Sequence, residues 1–170
     1  MEDEIVNKVS KSALVTFDLE TLYTPGERVL FDVKPLLFQE LILREKDFRN
    51  FIKDHNWAAY SNKHIAITCT ADAIVPTWAY MLLASALQPY AQVIVVGSLQ
   101  DLETRLFEAA LNKIDWQEFT NAKVVVKGCS KREVPIAAYV EVTKRLRQVA
   151  QSIMFGEPCS TVPVFKRKTS

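Results

Sequence analysis

Three cysteines in this chain share a local context. Cys69 is followed by Thr70, Cys129 by Ser130 and Cys159 by Ser160. The first two also sit in similar words, HIAITCTADAIVPTWAYMLL and KVVVKGCSKREVPIAAYVEV. In each, a β-rich run leads through the cysteine to Val-Pro-x-x-Ala-Tyr: Val75, Pro76, Ala79 and Tyr80 in one, Val134, Pro135, Ala138 and Tyr139 in the other. A thiolate is both a nucleophile and a soft metal ligand. In an open parallel sheet, ligands bind beyond the carboxyl ends of the strands, where helix N-termini favour anions and lower a thiol's pKa. Two parallel strands that each end in a cysteine would deliver both thiols to one edge, and Cys159 would make a third. The residues Asp72, Thr70, Ser130, Ser160 and Glu157 are the auxiliary candidates, with Asp72 and Glu157 ahead of His64 as a fourth metal ligand. Against this stands a plainer reading. Cysteine often serves as a small buried hydrophobe, and these spacings are long-range, unlike the C-x-x-C pairs of zinc sites.

The composition bounds the chemistry. The chain has 170 residues, 49% hydrophobic and 24% charged, the profile of a globular protein long enough to bury a core without staples. A net charge of +1 gives no electrostatic footprint for nucleic acid or anionic membrane. The one basic run, Lys166-Arg167-Lys168, reads as a frayed, solvated end. The start, MEDEIVNKVS, is unlike a secretory leader, and no apolar run approaches a membrane span. Three cysteines cannot all pair internally, so the expected setting is the reducing cytoplasm. With two histidines, His55 and His64, a histidine-rich metal site is excluded. No Walker loop, G-x-G-x-x-G, G-x-S-x-G or H-E-x-x-H occurs.

The elements that must position these residues alternate. Residues 13–23 and 28–33 read as strands joined by the turn Thr24-Pro25-Gly26-Glu27, an N-terminal β-hairpin. Glu45 to Trp57 is an amphipathic helix through Phe48, Phe51 and Ile52. Apolar β runs at 64–69, 92–96 and 122–127 then alternate with helical stretches at 72–87, 99–111 and 133–153. This predicts one α/β domain over 1–170. It would be a three-layer sandwich with a mainly parallel sheet and a β-α-β-α-β-α core. Residues 156–170 would be an extended tail folding back toward the sheet edge. Tyr80 and Tyr139 are expected as core residues of matching helices, and the three tryptophans as packing groups.

The words FDLETLY, LILREKDFRNFIKDHNW, TCTADAIVPTWAYMLL, VVKGCSKREVP and SIMFGEPCSTVPVFK resemble, over nearly the whole chain, a small bacterial family known only as a domain of unknown function. The resemblance implies no activity. It does imply a setting near iron–sulfur cluster assembly, with a partner protein in that process and with Cys69, Cys129 and Cys159 handling zinc, a cluster or sulfur. Three readings follow. The first is a metal- or iron–sulfur-cluster-binding protein with a three-cysteine site. The second is a thiol enzyme of sulfur transfer or redox, with Cys69 or Cys129 as nucleophile. The third is a non-catalytic interaction or scaffold domain whose cysteines are structural. In that case the apolar stretch 74–87 allows a homodimer face.

Overall fold

The computed structural model describes residues 14–128, 131–157 and 159–169. Its elements run β1 (Val15–Asp18), β2 (Arg28–Asp32), α1 (Glu45–Asp54), β3 (His64–Thr68), α2 (Thr77–Leu87), β4 (Val93–Val96), α3 (Leu99–Leu111), β5 (Lys123–Lys127), α4 (Ile136–Arg147), β6 (Ser152–Glu157) and β7 (Ser160–Lys166). Short 3-10 turns lie at Leu19–Leu22, Lys34–Leu36, Trp57–Tyr60 and Trp116–Phe119. The class is α/β with mainly parallel strands, as the alternation predicts. The strands form two sheets, ordered β2-β3-β4 and β1-β5-β6-β7. All pairings are parallel except β6 with β7.

The chain divides into two compact units, a partition absent from the sequence reading. A nested unit comprises Pro25–Arg105, and a flanking unit takes the chain through Thr24 and again from Leu106. The boundary falls within α3.

The two units repeat one another without a gap. Trp57 and Trp116 lie 59 positions apart (116 minus 57), and the same spacing relates Phe48 to Phe107, Ala79 to Ala138, Leu87 to Leu146 and Gly97 to Gly156. The backbone keeps the same register. His64 pairs with Val93 and Lys123 with Ser152; Phe31 pairs with Ile67 and Phe17 with Val126. Each unit fills its core from the same positions: Ile65, Ile67, Ala79, Leu83 and Leu87 in one, Val124, Val126, Ala138, Val142 and Leu146 in the other. The helical members recur at i and i+4, so one stripe of each helix faces its sheet. Even the connectors match. Trp57 Nε1 donates to the Ile52 carbonyl at 2.7 Å and Trp116 Nε1 to that of Leu111 at 3.2 Å. Asn62 and Asn121 both turn the chain at positive φ, 61° and 60°. Their N–H groups donate to the carbonyls of Tyr90 and Val149. Asparagine is among the few non-glycine residues that visit this region readily.

Several expected boundaries are corrected. β1 and β2 do not form a hairpin: each is the edge strand of a different sheet, parallel to β5 and β3 respectively. The turn signal at 24–27 is a link between units, in which Gly26 at φ 124° makes room for His64. A Cβ there would lie 2.7 Å from the imidazole Nε2. His64 itself is buried rather than partly exposed. Its Nε2 sits 2.9 Å from the Pro25 carbonyl, which can only accept, so Nε2 carries the proton. α2 and α4 begin after Pro76 and Pro135, which are N-caps with extended ψ of 143° and 142° rather than residues inside the first turn. The stretch expected as helix through Ile153 ends at Arg147, and β6 begins at Ser152. The tail pairs as β7, an outer strand carrying Pro163 beside a register irregularity at Ile153/Met154.

The matched turns give a quantitative expectation. Asn62→Val and Asn121→Val each force a β-branched residue into left-handed backbone, so each should cost about 1–2 kcal/mol in urea unfolding, whereas Asn→Gly at either site should cost little. Equal costs at the two positions would reflect their equal geometry; a loss at neither would contradict it.

Candidate functional site

The protein's own carboxylates occupy part of the strand-end turns. In the nested unit, Asp32 ends β2. Its Oδ1 accepts from the N–H groups of Lys34 (2.9 Å) and Thr70 (3.0 Å), and its Oδ2 accepts the Thr70 hydroxyl at 2.5 Å. Burial alone would raise its pKa. The hydrogen bonds from Thr70 and Lys34 outweigh that and hold the carboxyl below its ordinary value. In the flanking unit Asp18 ends β1 in the same way, its Oδ1 accepting from the Glu20 N–H at 3.0 Å. Glu20 Oε1 in turn accepts from the N–H groups of Lys131 (2.8 Å) and Arg132 (3.2 Å), and the Arg132 guanidinium lies 3.8 Å over the Tyr23 ring. Four backbone donors of these loops, those of Lys34, Thr70, Lys131 and Arg132, are thus satisfied internally.

Two of the three predicted thiols, Cys69 and Cys159, fall among the described residues. Cys69 is half-buried just after β3 in the nested unit. Its Sγ donates to the Ala71 carbonyl at 3.8 Å, a group that cannot accept the thiol's proton as a base. Tyr80 packs in the same cluster, where burial, with Cys69 contributing, pushes its phenol upward. Cys159 is exposed in the turn between β6 and β7, closed by the pair Glu157 and Ser160. It therefore belongs to the other unit and the other sheet. Cys129 and Ser130 lie outside the described residues. Thr70 is engaged with Asp32, and Asp72 is exposed.

The expectation of a metal- or cluster-binding function is accordingly corrected. Among the described residues no group of three or more histidine, cysteine or acidic side chains is placed to hold a metal ion. Two observations stand behind this. The chain builds two sheets where one was expected, and Cys69 follows a strand of one while Cys159 lies between strands of the other. Nor are the two cysteine words in register. At the 59-residue spacing Cys69 corresponds to Gly128, and Cys129 to Thr70, so the cysteines occupy successive rather than equivalent positions.

A different feature distinguishes the flanking unit. Between α4 and the β6–β7 hairpin runs a groove of about 690 Å³, lined chiefly by Ile136, Tyr139, Val140, Ile153, Phe155 and Val164. Its volume is typical of binding cavities. Tyr139 and Phe155 form its floor as an edge-to-face pair at 5.7 Å. Ile136 is 79% exposed and Val140 56%. These two lie off the core stripe Ala138–Val142–Leu146, so α4 carries two apolar stripes, one of them unused by its own core. The polar members at the rim are already engaged: the Thr143 hydroxyl donates to the Tyr139 carbonyl and Lys144 pairs with Glu141. The nested unit has no counterpart to β7, and Thr77 and Met81 stand where Ile136 and Val140 do. The double stripe on α4 was readable from the sequence; the hairpin that completes the groove was not.

At the carboxyl end of α4 lies a second depression, lined by Arg147, Gln148, Phe165, Lys166, Arg167 and Lys168. The basic run is not a frayed end. The Arg167 N–H donates to the Gln151 carbonyl at 2.8 Å, its guanidinium donates to that of Gln148, and Arg147 stacks on Phe165 at 4.6 Å.

These features define an internally repeated α/β protein with an open apolar groove beside α4. The chain belongs to the family described as Protein of unknown function (DUF2480), whose model matches residues 3–167. Neither a curated protein nor a solved structure matches it. Among the described residues no helix is long and apolar enough to cross a membrane.

The Asp32 clamp predicts an acid dependence. Its pKa is depressed on folding, so its stabilisation is present above the ordinary value near 3.8 and is lost as pH falls through the lower folded value. Asp32→Asn should therefore be less stable at pH 7 by about 1 kcal/mol, the low end for a charged hydrogen bond because the carboxylate is partly solvated. Urea titrations at pH 7 and pH 3 should show this gap shrinking in acid; a gap of the same size at both would assign it to shape instead of charge.

Proposed function

We propose that this protein is a non-catalytic interaction module whose working surface is the apolar groove between α4 and the β6–β7 hairpin. The observation that carries the reading is the groove itself: about 690 Å³ of concave, largely aliphatic and aromatic surface, with its rim polar groups already engaged. Exposed apolar surface organised into a concavity marks a binding surface more often than a tolerated accident. The loops where chemistry would be expected support the same reading: the N–H groups of Lys34 and Thr70 are taken by Asp32, those of Lys131 and Arg132 by Glu20, and the Cys69 thiol faces a carbonyl.

An environment-sensitive apolar dye provides a direct test. Nile red should bind the full chain saturably at one site. Val140→Asp places a carboxylate in the groove wall and should weaken binding at least tenfold, since an apolar occupant would have to desolvate that charge. Val140 is largely exposed, so the melting temperature should move by no more than about 2 °C. A variant that titrates like wild type would sink the reading.

A further inference from the structure

The groove's shape and its surroundings specify what would fill it. On α4 its lining runs from Ile136 to Lys144, eight residues or about 12 Å at helical rise. Its walls are aliphatic: Ile136 and Val140 on α4, Phe155 and Val164 on the hairpin. A second depression, at the carboxyl end of the same helix, is cationic: Arg147, Lys166, Arg167 and Lys168. Among the described residues none of these four has an ion-pair partner. Arg147 and Arg167 are held in place by Phe165 and by the Gln148 carbonyl, so two of the four charges are fixed in position.

On the reading that the groove is a binding surface, we infer that its occupant is an amphipathic helix of a partner protein, two to three turns long, with acidic residues at the end that meets Arg147 and Lys166–Lys168. The surface is concave, and the convex stripe of a helix fits a concavity that a flat bilayer would bridge. The groove is open along its length, since Ile136 and Val140 remain mostly exposed. A lone acyl chain would leave much of its own surface wet there, whereas a helix turns its polar face outward and satisfies its backbone internally. The charges lie at the carboxyl end of α4 rather than around the rim, which fixes both the sign of the partner and its direction along α4.

A library of displayed 14-residue peptides selected against the immobilised full chain tests this. The enriched peptides should carry apolar residues at i, i+3, i+4 and i+7, with Asp or Glu gathered toward one end. A synthesised member should bind in solution, at least tenfold more weakly to Lys166→Glu/Lys168→Glu and to Val140→Asp, and more weakly again as salt is raised. Enriched peptides that are neutral or basic, or that need Val140 but ignore Lys166→Glu/Lys168→Glu, would overturn the acidic partner and leave the groove reading standing. Peptides indifferent to Val140→Asp would overturn both. An empty selection would overturn the helical partner. So would either of two other results: binding to phosphatidylglycerol vesicles lost in the charge-reversed variant, or a dimer in light scattering that Val140→Asp dissociates.

Discussion

Everything in the flanking unit depends on one parallel pairing, that of β1 with β5. Val15 lies beside Val124, with the whole nested unit between them in sequence. The matching pairing in the nested unit, Arg28 with His64, closes a span about a third as long. For a flexible chain that threefold difference costs about 1 kcal/mol more in closure entropy. Parallel strands cannot be joined by a tight turn, so each pairing forces a crossover, and in both units the crossover is a helix followed by a Trp-anchored 3-10 turn. The closure, the helices and the cores all follow from that geometry.

Duplication explains why the two units share so much and where they part. The core positions, the asparagine turns and the proline caps are held in common because both units must solve the same packing problem. So is the aspartate that ends each edge strand, Asp32 in one and Asp18 in the other, each accepting from the N–H two residues on. What only the flanking unit has is β7, and with it an exposed α4 stripe that acquires a second wall. The surface assigned to binding is therefore an addition to a repeated scaffold, built out from the core residues Val126 and Ile153.

The sequence shows this unevenly, and the reasons are physical. α3 is legible to its ends, because the i, i+3, i+7 pattern of Leu99, Leu102 and Leu106 is clean and Ser98 precedes it as a cap. β3 and β5 are legible as β-branched runs. The end of α4 is not, because Gln148 to Gln151 contains neither glycine nor proline and continues a helical pattern that the chain abandons. The false hairpin at 24–27 has a similar origin. Turn chemistry is local, but the partner of a strand is not, and a good turn can join strands of different sheets. The cysteine words misled through a slip of one residue. Aligned on Val-Pro, at the 59-residue spacing the strands also keep, Gly128 and not Cys129 stands in the place of Cys69.

The outer strand carries one more consequence. Among the described residues β7 is paired on one side, and an edge strand with free N–H and C=O groups is a template on which further chains can stack. Pro163 has no N–H to donate, the irregularity at Ile153/Met154 disturbs the strand's straightness, and Lys166 adds a charge at its end. Val162 and Val164 thus stand exposed on a strand that carries three of the features that oppose edge-to-edge stacking.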